Sequence, residues 1–348
     1  MKEKEQQTWR NLNDHYLNVI NNNWYKLLVE IENIICKSTV EFYQEREIKT
    51  LCLPITTSSI SSPMGLGSDS LPVEIELFDV KTYLADSMQF MLEYGCRIMK
   101  NGCYYIMPSF RGEKADNRHL CQFFHSEAEI PGNLEDIILL VEDYIRYLCK
   151  KILNEQQENI VKISKRTKHI EDIINSSDPF KRVTFEEATK LLKDDPDYIV
   201  KHPEGFRTIT SKGEKRLMEI CGGIVWITNF DRLAVPFYQC VDPCDSSKTL
   251  NADLLMGIGE TVGAGERHLN KYEVMQALDY HKVDPANYDW YCNLKAKYPM
   301  KTSGFGMGIE RFLLWILSHD DIRDCQLLPR FNGVNIKPEL FMDQYSTK

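Results

Sequence analysis

Four stretches of this chain carry residues whose types and spacing suit chemistry on an anion. In FRGEKADNRHLCQFFHSEAEI, Arg111 and Glu113 stand two apart, on one face of an extended chain. Phe123 and Glu127 lie on the returning run, with Arg118 and His119 in the turn. Guanidinium, imidazole and ring on one hairpin suit a nucleotide, charge for phosphate and ring for base. Read alone, the same hairpin is a surface with exposed ion pairs, which contribute little. In ADLLMGIGE, Asp253 and Glu260 offer two carboxylates beside glycines, a donor set for a hard divalent cation. Arg267, in GAGERH, is flanked by small residues and can reach a substrate carboxylate or amide. In KTSGFGMGIERF, Gly304, Gly306 and Gly308 alternate ahead of an apolar helix. Glycine weakens a strand interior, so such a run marks close approach by a ligand or another backbone. Arg311 then sets a fixed guanidinium beside whatever lies over the glycines. Ser87 and Gln89 in ADSMQF read either as small-molecule contacts or as polar groups of a helix start.

The elements that must position these groups are legible in outline. Residues 1–48 are expected to be helical, since WYKLLVEIENIICKSTVEFYQE places apolar residues at helical spacing. IKTLCLPITT is expected as a strand ending at Pro54, and the Ser/Gly/Pro-rich SSISSPMGLGSDSLP as a mobile loop. VEIELFDV alternates like a half-buried strand, and GCYYIMPSFRGE with LCQFFHSEAEI reads as an antiparallel pair joined by a long turn. NLEDIILLVEDYIRYLCKKIL is an amphipathic helix, and the charged residues 154–180 are expected as a surface excursion. Thr184 with Glu187, and Ser211 with Glu214, are spaced as capping boxes. GIVWITNF and AVPFYQCV are expected as central strands.

Composition sets the bounds. A chain of 348 residues, 43% hydrophobic, can bury a substantial core. It has no run of 18 apolar residues and no signal-peptide core, so the expectation is a cytoplasmic protein without a membrane partner. Eleven scattered cysteines point to reduced thiols. Cys240 and Cys244 are spaced for half a zinc site, but no second pair completes it. The net charge of −9 and the lack of a lysine-rich stripe argue weakly against nucleic acid.

Taken together and in order, the motifs resemble the catalytic core of class II aminoacyl-tRNA synthetases, and within them the asparaginyl and aspartyl subgroup. FRGEKADNRHLCQF is similar to the second motif of that family and GFGMGIERF to its third. YDWYCNLKAKYPMKTSGFGMGIERF, DIRDCQLLPR and PFKRVTFEEATKLL resemble the asparaginyl branch. The resemblance implies an α+β fold, an antiparallel sheet flanked by helices, in residues 49–348, with dimerisation through the first motif. It also implies activation of aspartate or asparagine by ATP, with magnesium, to an aminoacyl adenylate. By that resemblance Arg111 grips the α-phosphate and the substrate carboxylate, and Phe123 stacks on adenine with Arg311 on its other face. Glu113 meets the adenine edge, Arg118 and His119 hold the outer phosphates, and Gly306 and Gly308 lie beneath the nucleotide. Asp253 and Glu260 carry magnesium. Ser87, Gln89 and Glu127 fix the amino acid's backbone groups, and Arg267 its side-chain carbonyl or carboxylate.

Departures from the family pattern bear on the acceptor. Residues 1–48 look helical, so no anticodon-binding barrel is expected ahead of the core. Leu92 and Glu93 stand where aspartyl enzymes place a substrate lysine. A core without the barrel is also similar to archaeal asparagine synthetases related to asparaginyl-tRNA synthetase. The expectation is therefore an AMP-forming ligase acting as a homodimer, passing aspartate or asparagine to a small amine such as ammonia without tRNA. The alternatives are a compact asparagine–tRNA ligase and a non-catalytic regulatory paralogue.

Overall fold

In the computed structural model, which describes residues 8–68 and 70–331, the chemistry-bearing stretches converge on one face of an eight-stranded sheet. Its strands, in chain order, are β1 Lys49–Thr50, β2 Cys103–Phe110, β3 Gln122–Pro131, β4 Arg182–Thr184, β5 Val225–Thr228, β6 Asn251–Met256, β7 Gly259–Glu266 and β8 Thr302–Gly308. They lie in the order β1-β2-β3-β8-β7-β6-β5-β4. The pairs from β2 through to β5 are antiparallel, while β1 joins β2, and β4 joins β5, in parallel. This is the expected antiparallel sheet flanked by helices.

Helices cover the opposite face. The helix Asn23–Glu45 packs along Leu134–Ser164, and both bury Ile, Leu and aromatic side chains against the sheet. The second is opened by a capping box between Asn133 and Asp136. The apolar helix Ile309–Ile316 follows β8 directly and buries seven of its eight residues, all but Arg311, which lines the site. The strand before it and the core behind it fix the direction of Arg311.

Several local expectations are corrected. Residues 154–164 are not a surface excursion but the last turns of the 31-residue helix Leu134–Ser164, with Ile160 fully buried. The helix Lys168–Asn175 continues the cover with Ile170 and Ile173 buried. Charge on the outer face masked the apolar stripe in this stretch. IKTLCLPITT forms only two short pieces, Lys49–Thr50 and Thr56–Thr57. AVPFYQCV is not a central strand: it runs irregularly over the sheet, with Phe237 and Tyr238 buried in a satellite cluster. The Ser/Gly/Pro-rich loop is docked rather than loose. Leu66 and Gly67 donate to the carbonyls of Leu233 and Ala234, and Ser61 caps the buried Asp86. The expected helical segment 1–48 and the core 49–348 both extend into residues outside those described, 1–7 and 332–348.

Candidate active site

Four paired glycines make a bare patch in the middle of the sheet. β7 and β8 place Gly263 opposite Gly306 and Gly265 opposite Gly304. A Cβ on Gly304 would overlap Glu129 Oε2, and lie 2.7 Å from its Cδ and 2.8 Å from the Ala128 carbonyl oxygen. A Cβ on Gly265 would overlap the Gln239 amide in the same way, at 2.6 Å from its Cδ. Gly306 is less crowded, with Glu127 Oε1 at 3.3 Å, and Gly308 meets only Arg311 carbons at 3.8 Å. The alternation thus has two causes: at Gly304 and Gly265 it admits buried polar side chains, and at Gly306 and Gly308 it leaves an open floor.

One end of that floor is built for a nucleotide. Strand β2 ends at Phe110, so Arg111 and Glu113 lie just beyond it, in the turn rather than on a strand face. The Arg111 guanidinium sits 5.4 Å from the centre of the Phe123 ring, and its buried Nε has no hydrogen-bond partner among the described residues. Glu113 approaches Arg111 at 3.9 Å and accepts from the Leu71 N–H at 3.1 Å, which ties the Ser/Gly/Pro-rich loop to the rim. Phe123 stands edge-on to His125, ring centres 4.7 Å apart, leaving a ring face toward the cavity. His119 is held by Asp116 at 3.0 Å.

Beyond the ring, three carboxylates face two guanidinium groups. Arg118 pairs with Glu214 at 2.5 Å, and Arg311 donates to the carbonyls of Glu260 and of Arg118, the latter at 3.4 Å. A Cβ on Gly263 would lie 3.1 Å from Glu260 Oε1 and 3.8 Å from Asp253 Oδ1, so both carboxylates converge over one bare position. Burial, then the charges of Glu260 and Glu214, push the Asp253 carboxyl well above the usual carboxylate range. Glu214 is also pushed up by burial and by Glu260, against the pull of Arg118. Such crowding of buried acids is relieved by a cation.

The other end fits an amino acid. Glu127, buried, accepts from Ser87 Oγ at 2.6 Å, from the Tyr105 hydroxyl and from His125 at 3.0 Å. Burial raises its pKa, but His125, Ser87 and Tyr105 outweigh this and hold the carboxylate below its usual range. Gln89 Nε2 is buried beside the Tyr238 hydroxyl without a well-formed hydrogen bond among the described residues. Arg267 is also buried; its Nε and Nη2 donate to both oxygens of the fully buried Glu129 at 3.1–3.3 Å, and Nη1 donates to Gln239 at 3.2 Å. Burial raises the Glu129 carboxyl, against the pull of the Arg267 guanidinium that holds it as the partner of an ion pair. Behind it, the wholly buried Lys295 pairs with Glu93 at 2.5 Å.

Apart from Gly304, which faces Glu129, every site residue named from the sequence lines one cavity of about 400 Å³. Five residues of the site were missed: Glu129, Gln239, Glu214, Tyr105 and His125. Glu129 had a visible signal, two positions after Glu127 on the same strand face. Glu214 had a misleading one. Thr210, not Ser211, is the helix cap, accepting from the Gly213 N–H, so Glu214 is free to turn inward to Arg118. Gln239 lies in a segment without regular structure and carried no signal.

A family described as tRNA synthetases class II (D, K and N) matches residues 7–332. Among similar proteins, the asparagine–tRNA ligase of Thermoplasma acidophilum is 28% identical over 311 residues, covering 87% of this chain and 68% of the relative. That of Pyrococcus abyssi is 30% identical over 261 residues, covering 74% of this chain and 58% of the relative. The chain therefore spans somewhat under to just over two thirds of these relatives' length. The crystal structure of asparaginyl-tRNA synthetase from Pyrococcus horikoshii complexed with asparaginyl-adenylate superposes with a TM-score of 0.84 at 24% identity, covering 94% of this chain and 73% of that one. The Entamoeba histolytica asparaginyl-tRNA synthetase in complex with asparaginyl-adenylate gives 0.81 at 24%, covering 95% and 73%. These structures share the fold.

The relatives overturn the expected transfer to ammonia or another small amine without tRNA, because relatives covering 74–87% of this chain are asparagine–tRNA ligases. The physical weakness of that expectation lay in summed charge. A net charge of −9 says nothing about where the basic side chains sit. Beside the candidate active site, and sharing Arg118 with it, a second cavity is lined by Arg146, Arg166, Lys181, Lys212 and Lys215.

Proposed function

We propose that this chain, which belongs to the class II tRNA synthetases (D, K and N) by its match over residues 7–332, activates asparagine with ATP and transfers it to tRNA. The observation that carries this reading is the extended similarity to asparagine–tRNA ligases. Charge in the pocket supports the amide over the acid. Arg267, the cation nearest the amino-acid end, is already neutralised by Glu129, and Lys295 by Glu93. A second carboxylate there would meet no free cation among the described residues, whereas a neutral amide can exchange hydrogen bonds with Arg267, Gln239 and Glu129.

The chemistry follows from the charges. An oxygen of the asparagine carboxylate attacks the α-phosphorus of ATP, the bond to the bridging oxygen breaks, and pyrophosphate leaves. No general base is needed, because the carboxylate is already ionised near neutral pH. Negative charge builds on the α-phosphate oxygens, where preorganised guanidinium groups are most effective. Arg111, with its unpartnered Nε, would serve there, and Arg118, His119 and Arg311 at the outer phosphates. Asp253 and Glu260 would hold magnesium, which neutralises phosphate charge when bound. Glu127 and Gln89 orient the ammonium and carboxylate groups. A terminal ribose hydroxyl of tRNA then attacks the acyl carbonyl and AMP leaves. The test is asparagine-dependent, magnesium-dependent ATP–pyrophosphate exchange together with charging of purified tRNA. We expect both with asparagine and neither with aspartate at comparable rate. Robust exchange with no labelled asparagine reaching tRNA would overturn the acceptor.

A further inference from the structure

Behind the amino-acid pocket lies a second group of ligand-type side chains that the adenylation chemistry does not use. Cys240, His268 and Glu273 bring Sγ, a ring nitrogen and a carboxylate oxygen within 4.8 Å of one another. Each is held by its own element. The Cys240 N–H donates to the Glu266 carbonyl at 2.8 Å, and its carbonyl accepts from Leu250 at 2.7 Å. His268 is only 2% exposed, and its Nε2 donates to the Phe237 carbonyl at 2.9 Å. Glu273 Oε2 accepts from the Leu269 N–H at 2.7 Å and Oε1 from Asn270 at 2.8 Å, as the reciprocal half of a helix cap.

The cap explains Glu273, and burial alone is common for a cysteine. What neither explains is His268 Nδ1. With Nε2 committed as a donor, Nδ1 carries a lone pair, and no described residue donates to it; Glu273 Oε2 lies at 3.8 Å. A buried ring whose Nε2 is fixed by a backbone carbonyl, with Nδ1 left open beside a thiol and a carboxylate, is the arrangement of a metal-binding histidine. Zinc bonds of ~2.0–2.3 Å put tetrahedral ligands roughly 3.3–3.8 Å apart, which small side-chain rotations reach from here.

We propose that Cys240, His268 through Nδ1 and Glu273 bind one zinc-class divalent cation, with water in the fourth position. Cys240 is partly exposed, which gives the ion a path in. On ligation the thiol proton leaves to solvent and the sulfur supplies the electron pair, so uptake releases one proton. Burial holds the metal-free imidazole neutral, its pKa pushed down to about 4, so His268 has no proton to lose. Position gives the ion a consequence. Gln239 and Arg267, the residues immediately before Cys240 and His268, form a backbone bridge, and both side chains engage the substrate pocket. The ion would tie that bridge from behind.

The experiment is titration of the metal-free full chain with Co²⁺ alone, followed by optical absorption. We expect a cobalt–thiolate charge-transfer band that saturates at one ion per chain and is displaced by Zn²⁺. Cys240→Ser should abolish it, while Cys244→Ser, at an exposed thiol outside the cluster, should keep it. Glu273→Gln, which preserves the cap, should weaken Co²⁺ binding by about 10-fold or more. Absence of a saturating band, or a band that persists in Cys240→Ser, would overturn the assignment. So would unaltered affinity in Glu273→Gln, and that variant carries the test if Cys240→Ser does not fold.

Discussion

Substituting alanine at each glycine of β8 in turn gives a graded test of why they alternate. In Gly304→Ala the new methyl would overlap Glu129 Oε2 and stand 2.8 Å from the Ala128 carbonyl oxygen. The carboxylate cannot simply swing aside, because Glu129 is fully buried and held on both oxygens by Arg267. Either the strands part, as in an overpacked core at about 1–3 kcal/mol, or the ion pair breaks, at about 3–5 kcal/mol. We therefore expect Gly304→Ala to lose about 2–4 kcal/mol of stability and most of its asparagine-dependent pyrophosphate exchange. Gly306→Ala needs Glu127 to give only a few tenths of an ångström from 3.3 Å, so the expected loss is under about 1 kcal/mol. Gly308→Ala finds ordinary contacts at 3.8 Å and should be within about 0.5 kcal/mol of the parent, yet it should weaken ATP binding if the nucleotide lies on the bare floor. Chemical denaturation measures stability and exchange measures activity for all three. Equal stability of Gly304→Ala and Gly308→Ala would refute the claim that Gly304 exists to admit Glu129.

Arg311→Ala should lower exchange by on the order of 100-fold, about 3 kcal/mol of transition-state stabilisation, with little change in unfolding midpoint; near-parental exchange would remove Arg311 from the phosphate site. Glu310 next to it is buried, accepts from the Phe124 N–H at 3.1 Å, and is pushed by burial up to about 8. Its raised pKa means that its contribution to stability is complete below about 4.5 and is lost as pH rises from there through about 8, by up to about 5 kcal/mol. Glu310→Gln should flatten the fall in stability across that window, and an unchanged pH profile of the denaturation midpoint would refute this.

What was legible in the sequence was whatever a local period could encode. The β2–β3 hairpin, the helix from Leu134 and the capping box at Thr184 all follow from spacing within a dozen residues. Arg111 and Arg311 stood out as charges beside glycines, and Phe123 as a ring on the same hairpin as arginines and a histidine. The irregular run Leu233–Cys240 was invisible because no period governs it; its position is fixed by partners such as Glu266, Arg267 and His281 that are remote in sequence. The docked serine-rich loop failed for the same reason. Composition predicts looseness there, while hydrogen bonds to residues 233–234 impose order.

Glu129 shows how a single buried acid organises both what was read and what was missed. Its carboxylate demands a glycine at 304, because β8 pairs Gly304 directly with it. It also demands a cation, supplied by Arg267 just beyond the end of β7. Arg267 in turn needs Gln239 for its remaining nitrogen, and Gln239 requires the second glycine, at 265. Two glycines, an arginine and a glutamine distributed over 66 positions are thus consequences of one group that must stay hydrogen-bonded where water cannot reach it. The sequence displays the glycines plainly and the cause only as the second acid of SEAEI. The pocket end that results is charged but neutral in sum, which is why it suits an amide, and why reading Arg267 alone left carboxylate and amide equally open.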